Sequence, residues 1–250
     1  LNEEKFTGKA GIYGKFRPSY PSGLIDYLYS EVGFGADSVI ADIGAGTGIF
    51  SGLMLERGSA VTCVEPNRDM LSAAKRALAE YDKASFVETS AEDTRFPAAS
   101  FDFITVAQAF HWFDRPRFKT ESARILKRGG RVVLIWNRRD DSAPLVGELF
   151  DINNRYCPNF KGFTGGAPGA PEAYLDFFEG GKCDFRIFTN DLLMDEAGFV
   201  GRSLSSSYAP RENDADYNAY VGELRTLFAE YSSDGRLLMP HYASSYVGGV

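Results

Sequence analysis

Three glycines and two carboxylates are the residues of this sequence whose spacing first suggests chemistry. Gly44-Ala45-Gly46-Thr47-Gly48 follows the apolar run "SVIADI" and opens the amphipathic stretch "IFSGLMLE". Glycines in such a turn let bare main chain approach a ligand. Asp42 stands two positions ahead of the first glycine. A carboxylate there suits a ligand with an ammonium or other positive centre and suits a pyrophosphate badly. Glu65 closes the next apolar run, "AVTCVEP". An acid at that place accepts hydrogen bonds from a ribose diol, which nicotinamide dinucleotides and S-adenosylmethionine both possess, so Glu65 alone does not choose between them. The dinucleotide pattern G-x-G-x-x-G wants its third glycine where this chain has Ile49.

Further along, "SAEDTRFP" (90–97) follows a third apolar run. Glu92 or Asp93 can accept from an adenine amino group while the backbone at Ala91 meets the ring edge. Equally, the acids can cap a helix. In "AQAFHWFD" (107–114), His111 is the natural proton acceptor, because an imidazole titrates at about 6.5 when unperturbed. Its alternative role is to shape the pocket beside Phe110, Trp112 and Phe113, whose rings also favour a cationic centre. Trp136, Asn137 and Arg138 end a fifth run at the same rim and can touch substrate. His241 reads as structural.

These residues need elements to hold them. Short apolar runs at 38–44, 60–66, 84–90, 101–109 and 131–137 alternate with helical patterns at 48–58, 67–81 and 116–130. Strands apolar on both faces, separated by helices, imply a parallel sheet covered on each side and doubly wound by right-handed crossovers. Ligands then sit beyond the carboxyl ends of the strands, where the glycine turn falls. After Asn137 the rhythm breaks. Residues 157–174 are rich in Gly and Pro and read as loop or cover. Residues 182–195 and 236–250 each read as one strand, and 214–231 as a helix whose Tyr217–Phe228 stripe packs in a core.

Composition narrows the field. A net charge of −7 disfavours a nucleic-acid partner. The basic groups Arg115, Arg117, Lys119 and Lys127, Arg128, Arg131 read as solvated faces. Three cysteines without CxxC spacing and two histidines cannot build a metal cage, so no metal is expected, and free thiols point to the cytoplasm. The opening residues show no signal peptide, and no run is long enough to span a membrane.

Five blocks, "DIGAGTG", "VEPNRDML", "SAEDTRFP", "FDFITVAQAFHWFD" and "LKRGGRVVLIW", occur in the order seen in class I S-adenosylmethionine-dependent methyltransferases. The chain resembles the branch called methyltransferase type 11. With "YGKFRPSYP" (13–21) it is similar to the subgroup of trans-aconitate methyltransferase-like proteins. The resemblance covers roughly Tyr13 to Trp136 closely. It implies a Rossmann-like α/β fold with a seven-stranded, mostly parallel sheet and an antiparallel last strand. It implies one methyltransferase domain over 1–250, an N-terminal cover over 1–36 and a lid or substrate insertion over 139–180. It implies S-adenosyl-L-methionine as cofactor and a small-molecule acceptor, with a carboxylate or hydroxyl as the acceptor group.

Residue by residue, the resemblance puts Gly44, Ala45, Gly46 and Gly48 along the methionine part of the cofactor. Asp42 supports the turn and the ammonium through water, and Glu65 takes the ribose hydroxyls. Pro66 and Met70 pack on the adenine, with Ala91 and Glu92 at its edges. Gln108 sits near the sulfonium. Tyr13, Arg17 and Tyr20 fold over the site. Arg17 can clamp a carboxylate acceptor or bridge to an acid of the fold, and an ionised carboxylate would need no base. Two other readings stand beside this one: a binding protein that kept the pocket without transfer, and a nicotinamide oxidoreductase, which Ile49 and Asp42 argue against.

Overall fold

The structure is a computed structural model, and it describes residues 19–163, 171–206 and 208–250. Tyr13 and Arg17 lie outside the described residues. The elements in chain order are α1 (Ser22–Tyr27), β1 (Val39–Ile43), α2 (Ile49–Glu56), β2 (Ala60–Val64), α3 (Arg68–Ala77), β3 (Ala84–Val87) and β4 (Phe101–Ala107). A short 3-10 turn (Phe110–Trp112), α4 (Arg115–Ile125) and β5 (Leu126–Arg139) follow. The remainder is α5 (Pro144–Tyr156), β6 (Asp184–Thr189), β7 (Leu192–Met194), α6 (Glu196–Leu204), α7 (Tyr217–Tyr231), β8 (Ser232–Ser233), β9 (Arg236–Met239) and β10 (His241–Gly248).

The chain forms two compact units, crossing between them four times: after Trp136, between 163 and 171, after Phe188 and after Tyr242. The first unit holds the seven-stranded sheet, in the order β3-β2-β1-β4-β5-β10-β6. β1 pairs in parallel with β2 and β4, β2 with β3, and β4 with β5. The sheet contains one antiparallel strand, as expected for a Rossmann-like methyltransferase fold. Side-chain alternation splits each strand between two cores. Ile40, Val133 and Ile135 enter one, with Leu24, Leu28 and Phe50. Ala41, Ile43, Leu134 and Trp136 enter the other, with Phe110, Phe118 and Tyr174. Each fully buried aliphatic chain contributes about 1.5–3 kcal/mol, so the central strands anchor everything attached to their ends.

Helix starts follow the sequence. Asn67 caps α3 by accepting from the Asp69 and Met70 amides, both at 3.1 Å. Asp114 caps α4 by accepting from the Arg117 amide at 3.1 Å. Helix α4 ends earlier than the two glycines predict, at Ile125, because Leu126 already pairs with Phe101 of β4. Gly129 takes φ +79°, and a Cβ on Gly130 would lie 2.9 Å from the Asp102 carbonyl oxygen. The glycines thus shape the entry to β5 rather than a helix end.

The second unit contains α5, α6 and α7 with a small sheet ordered β7-β9-β8. Its core joins Leu145, Leu149 and Phe160 to Phe199, Tyr220, Leu224 and Phe228, so the predicted stripe is core from Tyr220 to Phe228, while Tyr217 is half-buried and outside that cluster. The two long C-terminal strands predicted from the sequence are each divided. Residues 182–195 break between β6 and β7, where Asp191 turns to accept from the His241 amide at 2.9 Å. Residues 236–250 break at Pro240, which has no amide hydrogen to continue a ladder. His241 is buried, its Nδ1 faces the Met239 carbonyl oxygen at 3.2 Å and its Nε2 faces the Arg202 guanidinium at 3.2 Å. Burial and that arginine push its pKa down to about 3, so it is a neutral structural histidine. No helix among the described residues is long and apolar enough to cross a membrane.

Candidate active site

The glycine turn leaves β1 with Gly44, Gly46 and Gly48 all at positive φ, +72°, +57° and +83°. L side chains rarely adopt this region. The three positions do different work. A Cβ on Gly44 would lie 2.5 Å from Ala109 Cβ and 3.3 Å from the Phe113 ring, so this glycine admits the turn that follows β4. A Cβ on Gly48 would lie 2.8 Å from Leu78 and 3.3 Å from Ala74, so this glycine seats α2 against α3. Around the Cβ position of Gly46 nothing lies within 4 Å. Gly46 alone faces open space, the room a ligand needs.

Four of the turn's five amides are engaged within the protein. Gly44 and Ala45 donate to the Val64 carbonyl oxygen at 2.8 and 3.1 Å, and Gly48 donates to the Ala45 carbonyl oxygen at 2.9 Å. Gly46 donates to Glu65 Oε2 at 3.0 Å, while Glu65 Oε1 accepts from the Asn67 amide at 2.9 Å. The Glu65 carboxylate therefore joins the two loops at the ends of β1 and β2. A pyrophosphate site uses a turn's amides as donors; here they serve the protein itself. A ligand over Gly46 meets a fixed carboxylate, which suits hydroxyl donors and a positive centre.

Asp42 lies beneath this turn, 1% exposed, and pairs in the sheet with Cys63 on one side and Thr105 on the other. Ser51 of α2 donates to Asp42 Oδ2 at 2.5 Å, and Thr105 donates to Oδ1 at 2.8 Å. Cys63 donates to the Ser51 hydroxyl at 3.2 Å. Burial pushes the Asp42 carboxyl up to about 6 against the pull of those hydroxyls, and pushes the Cys63 thiol up to about 12. Asp42 thus ties β1, α2 and β4 together. Ser51 and Thr105 escaped the sequence reading. The signal was a lone hydroxyl in each of two apolar stretches, "GIFSGLML" and "FDFITVA".

Beyond β2, Pro66 is half-buried and Met70 is buried at the start of α3. Ala91 is buried, and Glu92 accepts from the Asp114 amide at 3.0 Å, bracing the turn that carries His111. Gln108 leaves β4 at φ +63°, a strained conformation for a residue with a side chain, while its amide donates to the Ile135 carbonyl oxygen at 2.9 Å. His111 lies between two indoles, 4.4 Å from Trp112 and 5.4 Å from Trp136, centroid to centroid. Trp136 is only 2% exposed and stacks on Tyr174 at 5.8 Å, whereas Trp112 is 38% exposed. Tyr174, fully buried, was not foreseen, since nothing in its local sequence marks it. Tyr20 packs edge-on against Phe50 at 4.9 Å. Among the described residues no cluster of His, Cys, Asp or Glu could hold a metal ion.

Residues 41–134, which contain the glycine turn, Glu65 and His111, match the family described as Methyltransferase domain. This stretch of the chain is similar to a methyltransferase domain. The chain is 39% identical over 150 residues to an uncharacterized methyltransferase of Mycobacterium bovis, covering 60% of this chain and 59% of that one. An uncharacterized methyltransferase-like protein of Schizosaccharomyces pombe is 31% identical over 167 residues, 66% of this chain and 63% of that one. The chain thus matches about three fifths of the length of these curated relatives. In fold, it is similar to a protein assigned to the type II methyltransferases from Anaeromyxobacter dehalogenans, with a TM-score of 0.70, 21% identity and coverage of 94% and 98% of the two chains.

Proposed function

We propose that this chain transfers the methyl group of S-adenosylmethionine to a small-molecule acceptor. The observation that carries the reading is the Glu65 carboxylate, which bridges the Gly46 and Asn67 amides beside the open space over Gly46. Each Glu65 oxygen accepts one backbone hydrogen bond, and a carboxylate, an acceptor-only group, suits the two hydroxyls of a ribose. Carbonyls and the Cα face of Gly44–Gly48 line the methionine part. Pro66 and Met70 pack on one adenine face, with Ala91 and Glu92 at its edges. Asp42 acts from below by fixing the turn.

Bound S-adenosylmethionine supplies a sulfonium-activated methyl group open to in-line displacement. The chain's own task is alignment and dryness. Gln108, held in its kink by the Ile135 carbonyl, sets where the chain leaves the sheet toward the methyl. His111, clasped by two indoles, is placed to take the proton of a hydroxyl acceptor; an ionised carboxylate acceptor would use it for contact only. Trp112, Trp136, Tyr20 and the N-terminal Tyr13 and Arg17 complete the acceptor side. Segments 1–36 and 139–180 are assigned the choice of acceptor within a single domain of 1–250. Three free cysteines, two of them buried, accord with a reducing cytoplasm.

Isothermal calorimetry with S-adenosylhomocysteine, S-adenosylmethionine and NAD tests the reading. Both sulfur nucleosides are expected to bind and NAD is not. Tight NAD binding with neither sulfur nucleoside bound would refute it.

A further inference from the structure

We infer that Glu121 is a positioning residue for the nucleobase of the cofactor: it pins the loop after β3 to α4 and so sets Ala91 and Glu92 where the adenine edge lies. The inference rests on the methyltransferase reading of this site and adds a specificity-determining residue to it.

Glu121 is 7% exposed, on the face of α4 that also buries Phe118, Ser122 and Ile125. A carboxylate is costly to bury unless its oxygens are paired. Both are. Oε1 accepts from the Thr94 amide at 2.8 Å and from the Thr94 hydroxyl. The Arg124 guanidinium forks over the same carboxylate, Nη2 to Oε1 at 2.8 Å and Nε to Oε2 at 2.8 Å. That arginine holds the Glu121 carboxyl down to about 2, so at neutral pH the group is ionised and only accepts. The remaining branch, Arg124 Nη1, donates to the Phe96 carbonyl oxygen at 2.6 Å.

An ion pair three residues apart does little for a helix by itself. The other bonds of this pair all reach one loop. Thr94 is buried, and Arg95 beside it turns the chain at φ +60°. Upstream, the Thr89 hydroxyl donates to the Asp93 carbonyl oxygen at 2.8 Å, and Glu92 accepts from the Asp114 amide at 3.0 Å, where α4 begins. Residues 92–96 are thus tied along α4 at Asp114, Glu121 and Arg124.

The loop leaves the sheet at the end where the glycine turn lies. The Glu65 amide donates to the Val87 carbonyl oxygen at 3.1 Å, so the last residue of β3 stands beside the acid that follows β2. Asp114, which Glu92 holds, follows Phe113, whose ring a Cβ on Gly44 would meet at 3.3 Å. Between these fixed points Ala91 is buried in the same core as Val64, the last residue of β2. The place of the Ala91–Glu92 edge is therefore set by Thr94, and that of Thr94 by Glu121.

The test is calorimetric titration of the full chain with S-adenosylhomocysteine and with S-inosylhomocysteine, which carries an oxygen in place of the adenine amino group. A carboxylate at that edge accepts from the amino group and repels the oxygen. The parent is expected to favour the adenine compound at least tenfold. Glu121→Ala is expected to bring that preference within about threefold, and Glu121→Gln, which keeps one acceptor oxygen, to leave it between the two. Asp102→Ala is the control. Asp102 accepts from the Val39 amide at 2.9 Å and from Lys127 Nζ at 2.9 Å, at the ends of β1 and β4 remote from the glycine turn. This variant is expected to lower the urea midpoint with the preference unchanged. Hydrogen exchange of the unliganded proteins, followed by NMR, reads the clamp directly. The Thr94 amide is expected to exchange at least tenfold faster in Glu121→Ala, while protected amides of β4 show that the variant folds. Should it not fold, Glu121→Gln decides by the same two readings, a fall in preference with faster exchange supporting the inference and parent-like values overturning it. An unchanged preference in Glu121→Ala, an equal fall in Asp102→Ala, or slow Thr94 exchange without Glu121 would overturn it. Binding of neither nucleoside by the parent, with Thr94 exchange still dependent on Glu121, would overturn the cofactor reading and the nucleobase role with it, and leave only the clamp.

Discussion

The Gly46 amide and the Glu65 carboxylate are hydrogen-bonded to each other at 3.0 Å, from the loop after β1 to the loop after β2. The same carboxylate holds the Asn67 amide at 2.9 Å, one residue before α3 begins. The glycine and the acid proposed to meet the cofactor are therefore one piece of structure, assembled by the protein's own backbone.

Removing that acid removes two bonds at once. Glu65→Ala is expected to weaken S-adenosylhomocysteine binding by about 1.5–3 kcal/mol, the usual size of a lost charged hydrogen bond. Glu65→Gln keeps one acceptor oxygen and should lose less. Calorimetry decides; unchanged affinity in the alanine variant would mean that the ribose is held elsewhere.

The glycines separate binding from folding. Gly46→Ala places its methyl in open space at φ +57°, at a backbone cost of roughly 1–2 kcal/mol, and is expected to fold yet bind S-adenosylhomocysteine at least tenfold more weakly. Gly48→Ala would strike Leu78 at 2.8 Å, and its main effect is expected in the urea midpoint. Equal losses of stability in the two variants would contradict this division.

Asp42 makes stability depend on pH in a defined direction. Its folded pKa, about 6, exceeds the ordinary 3.8, so between those values the folded chain holds a proton that the unfolded chain has released. Its contribution is largest below pH 4, falls as pH rises to 6 and is level above that, a change of about 3 kcal/mol. Asp42→Asn cannot titrate. Relative to the parent it should gain stability by about that amount between pH 4 and 7, measured by urea unfolding. Parallel curves for the two proteins would count against the buried carboxyl.

His241 acts at the acid side with the opposite slope. Its folded pKa of about 3 lies below the ordinary 6.5, so the unfolded chain takes up a proton that the folded chain refuses. Stability from this residue is full above pH 6.5 and drains away as pH falls toward 3, by up to about 5 kcal/mol. His241→Gln should flatten the acid limb of a stability profile. A limb as steep as the parent's would show that the loss arises elsewhere.

The parallel core was legible because its signal is local. "SVIADI", "AVTCV" and "RVVLIW" are apolar on both faces, and caps such as Asn67 mark where helices begin. The places of Gly46 and Glu65 in the loops after β1 and β2 were readable for the same reason, since each loop follows a recognisable strand. Trp136 carried an apolar signal too, but whether it faced solvent or Tyr174 depended on a residue far along the chain. The breaks at Asn190 and Pro240 were missed because apolar residues resume soon after each and the pattern was read across the turn residues between them, and which sheet a strand joins is settled by distant partners. The different duties of Gly44 and Gly48 were equally hidden, since each answers to a side chain from another element.

The chain has two tryptophans, Trp112 and Trp136, and both rings lie against His111. Its intrinsic ultraviolet emission therefore originates almost wholly from the two walls around a single imidazole. Charging that ring, or displacing it when a guest enters, alters the light from the entire molecule, so the protein carries its own optical gauge of this one position without any added label.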